Sequence, residues 1–138
     1  KIKPLVIDNS EDKRGLFAAA TAAIAKSGTI GLECALAGLP SIVAYNANPI
    51  TAALVRRMIR VKYVNLANIL ADRMVIPELI QEECNADAIT RAMLPLLTND
   101  HARKAQRRDL AHVADLLGAN DAQSPSEKAA DVVLGFLN

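Results

Sequence analysis

The sequence predicts an α/β fold with a parallel sheet, and three observations carry that reading. Short apolar runs alternate with segments of helical spacing through the first 66 residues. Each run is continuous and not alternating, the mark of a strand buried on both faces. The composition, 51% hydrophobic and 22% charged over 138 residues, suits one core with a solvated shell and excludes wholesale disorder. Aromatics make up only 3% with no Trp, whereas Ala alone supplies 25 residues, so the core is expected to be small and aliphatic.

Residues 4–8 (PLVID) read as a first strand, followed by a helix over 11–20. A second apolar run, 21–26 (TAAIAK), stops at Ser27-Gly28-Thr29 and hands over to a helix over 30–37. Gly38-Leu39-Pro40 ends that helix, since Gly accepts the left-handed terminal position and Pro cannot continue it. Residues 41–45 (SIVAY) form the next strand, a helix follows over 50–59, and 61–65 (VKYVN) is a candidate fourth strand. Beyond this the pattern is mainly helical, with helices predicted over 67–70, 78–81, 87–97, 102–117 and 126–137. Asn85, Asn99 and 124–126 punctuate them as capping signals. No repeat or flexible linker divides the chain, so 1–138 reads as a single domain, with strand and helix alternating over 1–66 and helix dominating 67–138. The start at Lys1, without Met and close to an apolar run, suggests that upstream sequence is missing.

Sixteen basic and 15 acidic residues leave a net charge of +1, which points to no nucleic-acid partner, and stacking aromatics are scarce. Cys34 and Cys84 lack neighbours at metal-ligand spacing and read as buried reduced thiols and not as a zinc site; no cofactor is expected. No run approaches the length of a membrane span, and no signal-peptide pattern is present; the compartment reads as cytoplasmic. His101 and His112 lie among Arg103, Lys104, Arg107 and Arg108, on what reads as a solvated helix face.

The segment most suited to chemistry is 27–33, SGTIGLE. Where a strand gives way to a helix, unpaired backbone N–H groups and the positive end of the helix dipole can receive an anion, and Gly allows close approach to the main chain. Glu33 is one turn beyond Thr29 on the same face, placed to accept from the vicinal hydroxyls of a ribose. The plainer reading is that Ser27 caps the helix, Gly28 relieves the turn and Glu33 is solvated. The stretch 51–62 carries Arg56, Arg57, Arg60 and Lys62, unopposed by carboxylates, among Leu54, Val55, Met58, Ile59 and Val61. It could lie on an anionic membrane surface, meet substrate phosphates, or pack on the sheet with its cations solvated.

SGTIGLECALAGLPSIVAY, NPI and VKYVNLANILADRMVIPELIQEE together resemble the C-terminal part of the lipid-A-disaccharide synthase family, glycosyltransferases that join two acylated glucosamines. The resemblance spans residues 1–97 and is closest over 27–81. It implies a Rossmann-like parallel sheet with flanking helices, part of the C-terminal donor-binding domain of a GT-B fold. It implies contacts from Ser27, Gly28 and Thr29 to the diphosphate of a UDP-diacylglucosamine donor, and from Glu33 to its ribose, with Asn68 and Gln81 as further donor-site polar residues. The implied acceptor is diacylglucosamine 1-phosphate. The family's base is expected in an N-terminal domain, so this chain alone is expected to be inactive. A homodimer, peripheral on the cytoplasmic face of the inner membrane, is implied as well. Two alternatives stay open: another GT-B enzyme or a UDP-sugar epimerase using the same turn, and a helical lipid-binding or oligomerisation module.

Overall fold

The computed structural model describes residues 3–7, 10–26, 28–46 and 62–136. Among them a three-stranded parallel sheet, in the order β1-β2-β3, is flanked by helices. The chain runs α1 (Ser10–Ala19), β1 (Ala23–Ala25), α2 (Ile30–Leu36), β2 (Ser41–Tyr45), α3 (Leu66–Ala71) and β3 (Glu78–Ile80). A 3₁₀ turn (Gln81–Glu83) then leads to α4 (Ala86–Thr98), α5 (Asp100–Leu116) and α6 (Pro125–Gly135). This is the expected α/β class: a Rossmann-like sheet of partial GT-B type with a helix-rich C-terminal part.

The central strand shows why its sequence is a continuous apolar run. Ser41, Ile42 and Val43 are successive and all buried, so both faces of β2 are covered. Gly38 terminates α2 with φ +60, the conformation that favours glycine, and Pro40 starts the return to the sheet. Ala25, Ala35, Val43, Ala67, Val75, Ile76, Leu110 and Val113 form the core, small and aliphatic as the composition requires. Helix α5 packs on α2 and α3, and α4 lies against β2.

On α5 the buried residues are Gln106, Leu110 and Val113, at the i, i+4, i+7 spacing of one helix face. Gln106 anchors that helix to the sheet. Its Oε1 accepts from the Ser41 N–H at 3.0 Å, while Nε2 donates to the carbonyls of Ser41 (2.9 Å) and Val75 (3.0 Å).

Three element expectations are corrected. Residues 4–7 carry no strand, and Leu5 and Val6 are both 84% exposed; among the described residues no strand lies beside them to complete a ladder. Residues 62–65 are not a strand either. The N–H groups of Val64 and Asn65 donate to the Glu78 carboxylate, and Asn65 caps α3 by accepting from the Ala67 N–H at 2.8 Å. The helix expected over 78–81 is β3 followed by the 3₁₀ turn, because Glu78, Leu79 and Ile80 pair with Val43, Ala44 and Tyr45 of β2. The helix expected over 50–59 lies outside the described residues, as do Asp8 and Val61.

The capping signals do mark helix starts. Asn85 accepts from the Ala88 N–H, Asn99 from those of His101 and Ala102, and Ser124 forms a reciprocal capping box with Glu127. Helix α6 leaves Val132, Val133, Leu134 and Phe136 exposed.

Candidate functional site

Parallel strands bring their carboxyl ends to one edge, where the loops that follow them can converge. β1 ends at Ala25 and is followed by Gly28 and Thr29; β3 ends at Ile80 and is followed by Gln81. Gly28 has φ +135, which an L side chain rarely adopts, so this turn requires the residue found there. Ser27 lies outside the described residues. The Thr29 carbonyl accepts from the N–H groups of Leu32 (2.9 Å) and Glu33 (3.1 Å), which starts α2. The Thr29 side chain makes no capping hydrogen bond, and the residue is exposed.

Glu33, in the first turn of α2, pairs with Lys13 of α1 at 2.5 Å, and both side chains are 39% exposed. Together with Arg14, Phe17, Leu36 and Ala37 they line a cleft of about 340 Å³. Gln81 sits at φ +56, in the left-handed region, at the point where β3 turns into the 3₁₀ segment; such a residue stores roughly 1–3 kcal/mol of strain. It is half-buried, and beyond it lies a cleft of about 540 Å³ lined in part by Leu79, Glu82, Glu83, Asn85 and Arg91.

Asn68 has a different setting. It is fully buried in α3; its Nδ2 donates to the Ile76 carbonyl and to Glu78 Oε1, both at 2.7 Å. Its Oδ1 accepts from the N–H groups of Val75 (2.8 Å) and Ile76 (2.9 Å). Both amide hydrogens and both lone pairs are therefore engaged inside the chain. The structure thus places Gly28, Thr29 and Gln81 at the carboxyl edge and Glu33 one turn along α2, while the Asn68 side chain is bonded to Val75, Ile76 and Glu78 at the entry to β3.

Sequence reasoning missed three residues that shape this region. Glu78 accepts from Val64 N, Asn65 N and Asn68 Nδ2, which joins the α3 entry to β3. The second is Lys13, one of several charges in the segment 11–20, whose spacing carries no sign of the contact with Glu33. The third is Gly31, buried in α2, where a Cβ would stand 2.7 Å from both Oδ1 and Nδ2 of Asn65. The Asn65 amide nitrogen is buried without a hydrogen-bond partner, so close approach of the two segments outweighs its satisfaction.

Cys34, buried on α2, is pushed above the ordinary thiol range chiefly by burial. The Ser41 hydroxyl opposes that shift, Glu33 adds to it and Lys13 opposes it. Among the described residues no group of His, Cys, Asp and Glu could hold a metal ion, and no helix is long and apolar enough to cross a membrane. His101 and His112 are exposed on α5, as are Lys104, Arg107 and Arg108. Arg103 is half-buried; it pairs with Asp100 and donates to the Leu96 carbonyl at 2.9 Å near the end of α4. Of the basic stretch, Arg56, Arg57 and Arg60 lie outside the described residues, and Lys62 is exposed with its ammonium 5.0 Å from the Tyr63 ring centroid.

A parallel α/β sheet with a glycine turn at its carboxyl edge defines a Rossmann-like domain, here the partial domain of a GT-B fold. The family model described as Lipid-A-disaccharide synthetase matches residues 1–133, and the chain belongs to that family. A relative named lipid-A-disaccharide synthase from Rhodospirillum centenum is 47% identical over 126 residues, covering 91% of this chain and 31% of the relative. Relatives of the same name from Rhodopseudomonas palustris and Nitrobacter winogradskyi are each 42% identical, covering 99% and 96% of this chain and 35% and 33% of their own lengths. The chain thus spans about a third of the length of the curated relatives it matches.

Proposed function

We propose that this chain supplies the UDP-sugar donor subsite of a lipid-A-disaccharide synthase, a glycosyltransferase of lipid A biosynthesis. The observation that carries the reading is the exposed Gly28-Thr29 turn at the carboxyl end of β1, with Glu33 one helical turn beyond, in a chain of this family. In this reading Ser27, Gly28 and Thr29 meet the diphosphate through hydroxyl and backbone N–H groups, where Gly28 places no Cβ in the way. Glu33 accepts from the ribose hydroxyls in the cleft it lines with Phe17. Gln81 contributes from the turn after β3. Asn68, whose amide is engaged by Val75, Ile76 and Glu78, acts by fixing the approach to β3 and not by direct contact with the donor.

The reaction is an inverting displacement. The 6-hydroxyl oxygen of diacylglucosamine 1-phosphate bonds to the anomeric carbon of the donor, the bond from that carbon to UDP breaks, and UDP leaves with the electron pair. A base outside this chain takes the hydroxyl proton, and this chain's donors stabilise the charge that grows on the departing diphosphate. The chain alone is therefore inactive.

Exposed Lys62, with Arg56, Arg57 and Arg60, would hold the protein against anionic lipid at the cytoplasmic face of the inner membrane, where the acylated substrates reside. The intact protein is read as a homodimer. The test is an assay of the intact polypeptide with UDP-diacylglucosamine and diacylglucosamine 1-phosphate, following disaccharide formation and UDP release. Turnover of UDP-N-acetylglucosamine without acyl chains, or lipid flotation with no UDP binding, would favour instead an epimerase-like enzyme or a lipid-binding module.

A further inference from the structure

Glu33 and Lys13 come from different helices, and their contact gives the cleft between α1 and α2 its only ion pair among the described residues that line it. The Lys13 ammonium lies 2.5 Å from Glu33 Oε2 and 5.6 Å from the centroid of the Phe17 ring, so it is held from two sides. Oε1 of Glu33 is not the atom paired with Lys13, and the side chain is partly exposed along the cleft. A carboxylate that must accept from two vicinal hydroxyls binds better if its plane is set beforehand, because ordering a free Glu side chain costs conformational entropy at the moment of binding.

We propose that Lys13 is a positioning residue for a nucleoside diphosphate, its ammonium orienting the Glu33 carboxylate toward the ribose hydroxyls. This rests on the assignment of Glu33 to the ribose. Lys13 and Glu33 are partly solvated, and a pair of this kind adds little to folding stability, so removing the cation tests orientation and not the fold.

The experiment is calorimetric titration of the intact polypeptide carrying this sequence with UDP and with 2′,3′-dideoxy-UDP. Lys13→Met is expected to weaken UDP roughly threefold, less than loss of the carboxylate itself, and to leave the dideoxy analogue almost unchanged. Lys13→Arg should restore most of the loss, and Lys13→Met combined with Glu33→Gln should cost no more than Glu33→Gln alone. Lys13→Gln replaces the Met variant if circular dichroism shows that variant misfolded. Equal weakening of both nucleotides would overturn the proposal, placing the cation on the diphosphate, and so would unchanged UDP affinity. If the unsubstituted protein binds both nucleotides equally, the ribose assignment of Glu33 fails, and the role of Lys13 fails with it.

Discussion

The side-chain nitrogen of Asn68 donates to the carboxylate of Glu78 at 2.7 Å, joining helix α3 to the first residue of strand β3. The same carboxylate receives the backbone N–H groups of Val64 and Asn65, each at 2.9 Å. One charged group thereby fixes the entry to α3 and the start of β3 together. Asn65, held there, packs against Gly31 in the first part of α2. Helix α2 and the edge strand β3 are linked through this set of contacts.

Asn68→Ala removes one side chain and leaves the N–H groups of Val75 and Ile76, the Ile76 carbonyl and one Glu78 interaction unsatisfied in a buried place. The expected loss is about 2–4 kcal/mol of stability, measured by urea unfolding. Asn68→Asp should be at least as costly, since it sets a second carboxylate beside Glu78. A change below about 0.5 kcal/mol, the scale of an ordinary surface substitution, would show that the network does not support the fold.

Gly31→Ala introduces a Cβ 2.7 Å from the Asn65 amide, and α2 or Asn65 must shift to admit it. Overpacking of this kind costs about 1–3 kcal/mol. Pairing it with Asn65→Ala should recover part of the loss, because the smaller side chain opens the space; a double variant with purely additive losses would place the strain elsewhere.

Cys34 and Cys84 should differ in reactivity. Cys34 is buried with its pKa raised, chiefly by burial, and should resist iodoacetamide in the folded chain, while half-buried Cys84 reacts first. Mass spectrometry of partially alkylated protein reads the order, and equal labelling would contradict the burial of Cys34. Because the folded thiol holds its proton more tightly than the unfolded one, its stability contribution is intact below the unfolded thiol's pKa. It is lost as pH rises through the folded value.

Glu127 carries the opposite sign. Its carboxylate accepts from the Ser124 backbone N–H at 2.7 Å, the main cause of a pKa held below the ordinary glutamate value, and its interaction with the Ser124 side chain adds to the shift. The capping contribution to α6 is therefore present above the unfolded carboxylate's pKa and disappears as pH falls through the lower folded value. In carbon-detected NMR the Glu127 carboxyl should titrate below the ordinary glutamate value, with the Ser124 amide moving in step. Titration at or above that value would mean the capping box does not form in solution.

Glu33→Ala should lower the affinity of the intact polypeptide for UDP by roughly tenfold, through loss of the acceptor for the ribose hydroxyls. Calorimetry returning equal affinities for the two proteins would remove Glu33 from the site.

Much of the framework was legible in the residue pattern. The strand over 41–45 coincides with β2 because a strand covered on both faces must be apolar at every position. Asn85, Asn99 and Ser124 mark helix starts because their side chains satisfy N–H groups within a few residues, a strictly local transaction. Short segments were less legible. Residues 78–81 have a polar residue at each end and two apolar ones between, a pattern that suits one turn of helix or three residues of strand equally well. Pairing with β2, more than thirty residues earlier, decided for the strand.

By itself, then, the sequence determined the α/β class, the helix caps, the glycine turn at Gly28 and the family to which the chain is similar, since each depends on neighbours along the chain. Tertiary structure alone decided that Asn68 faces inward with its amide fully engaged, that Gln106 bridges Ser41 and Val75, and that Lys13 meets Glu33. Those contacts join residues on separate elements, and whether a polar side chain turns to solvent, to ligand or to the core depends on which buried donors and acceptors the packing of those elements leaves to be satisfied.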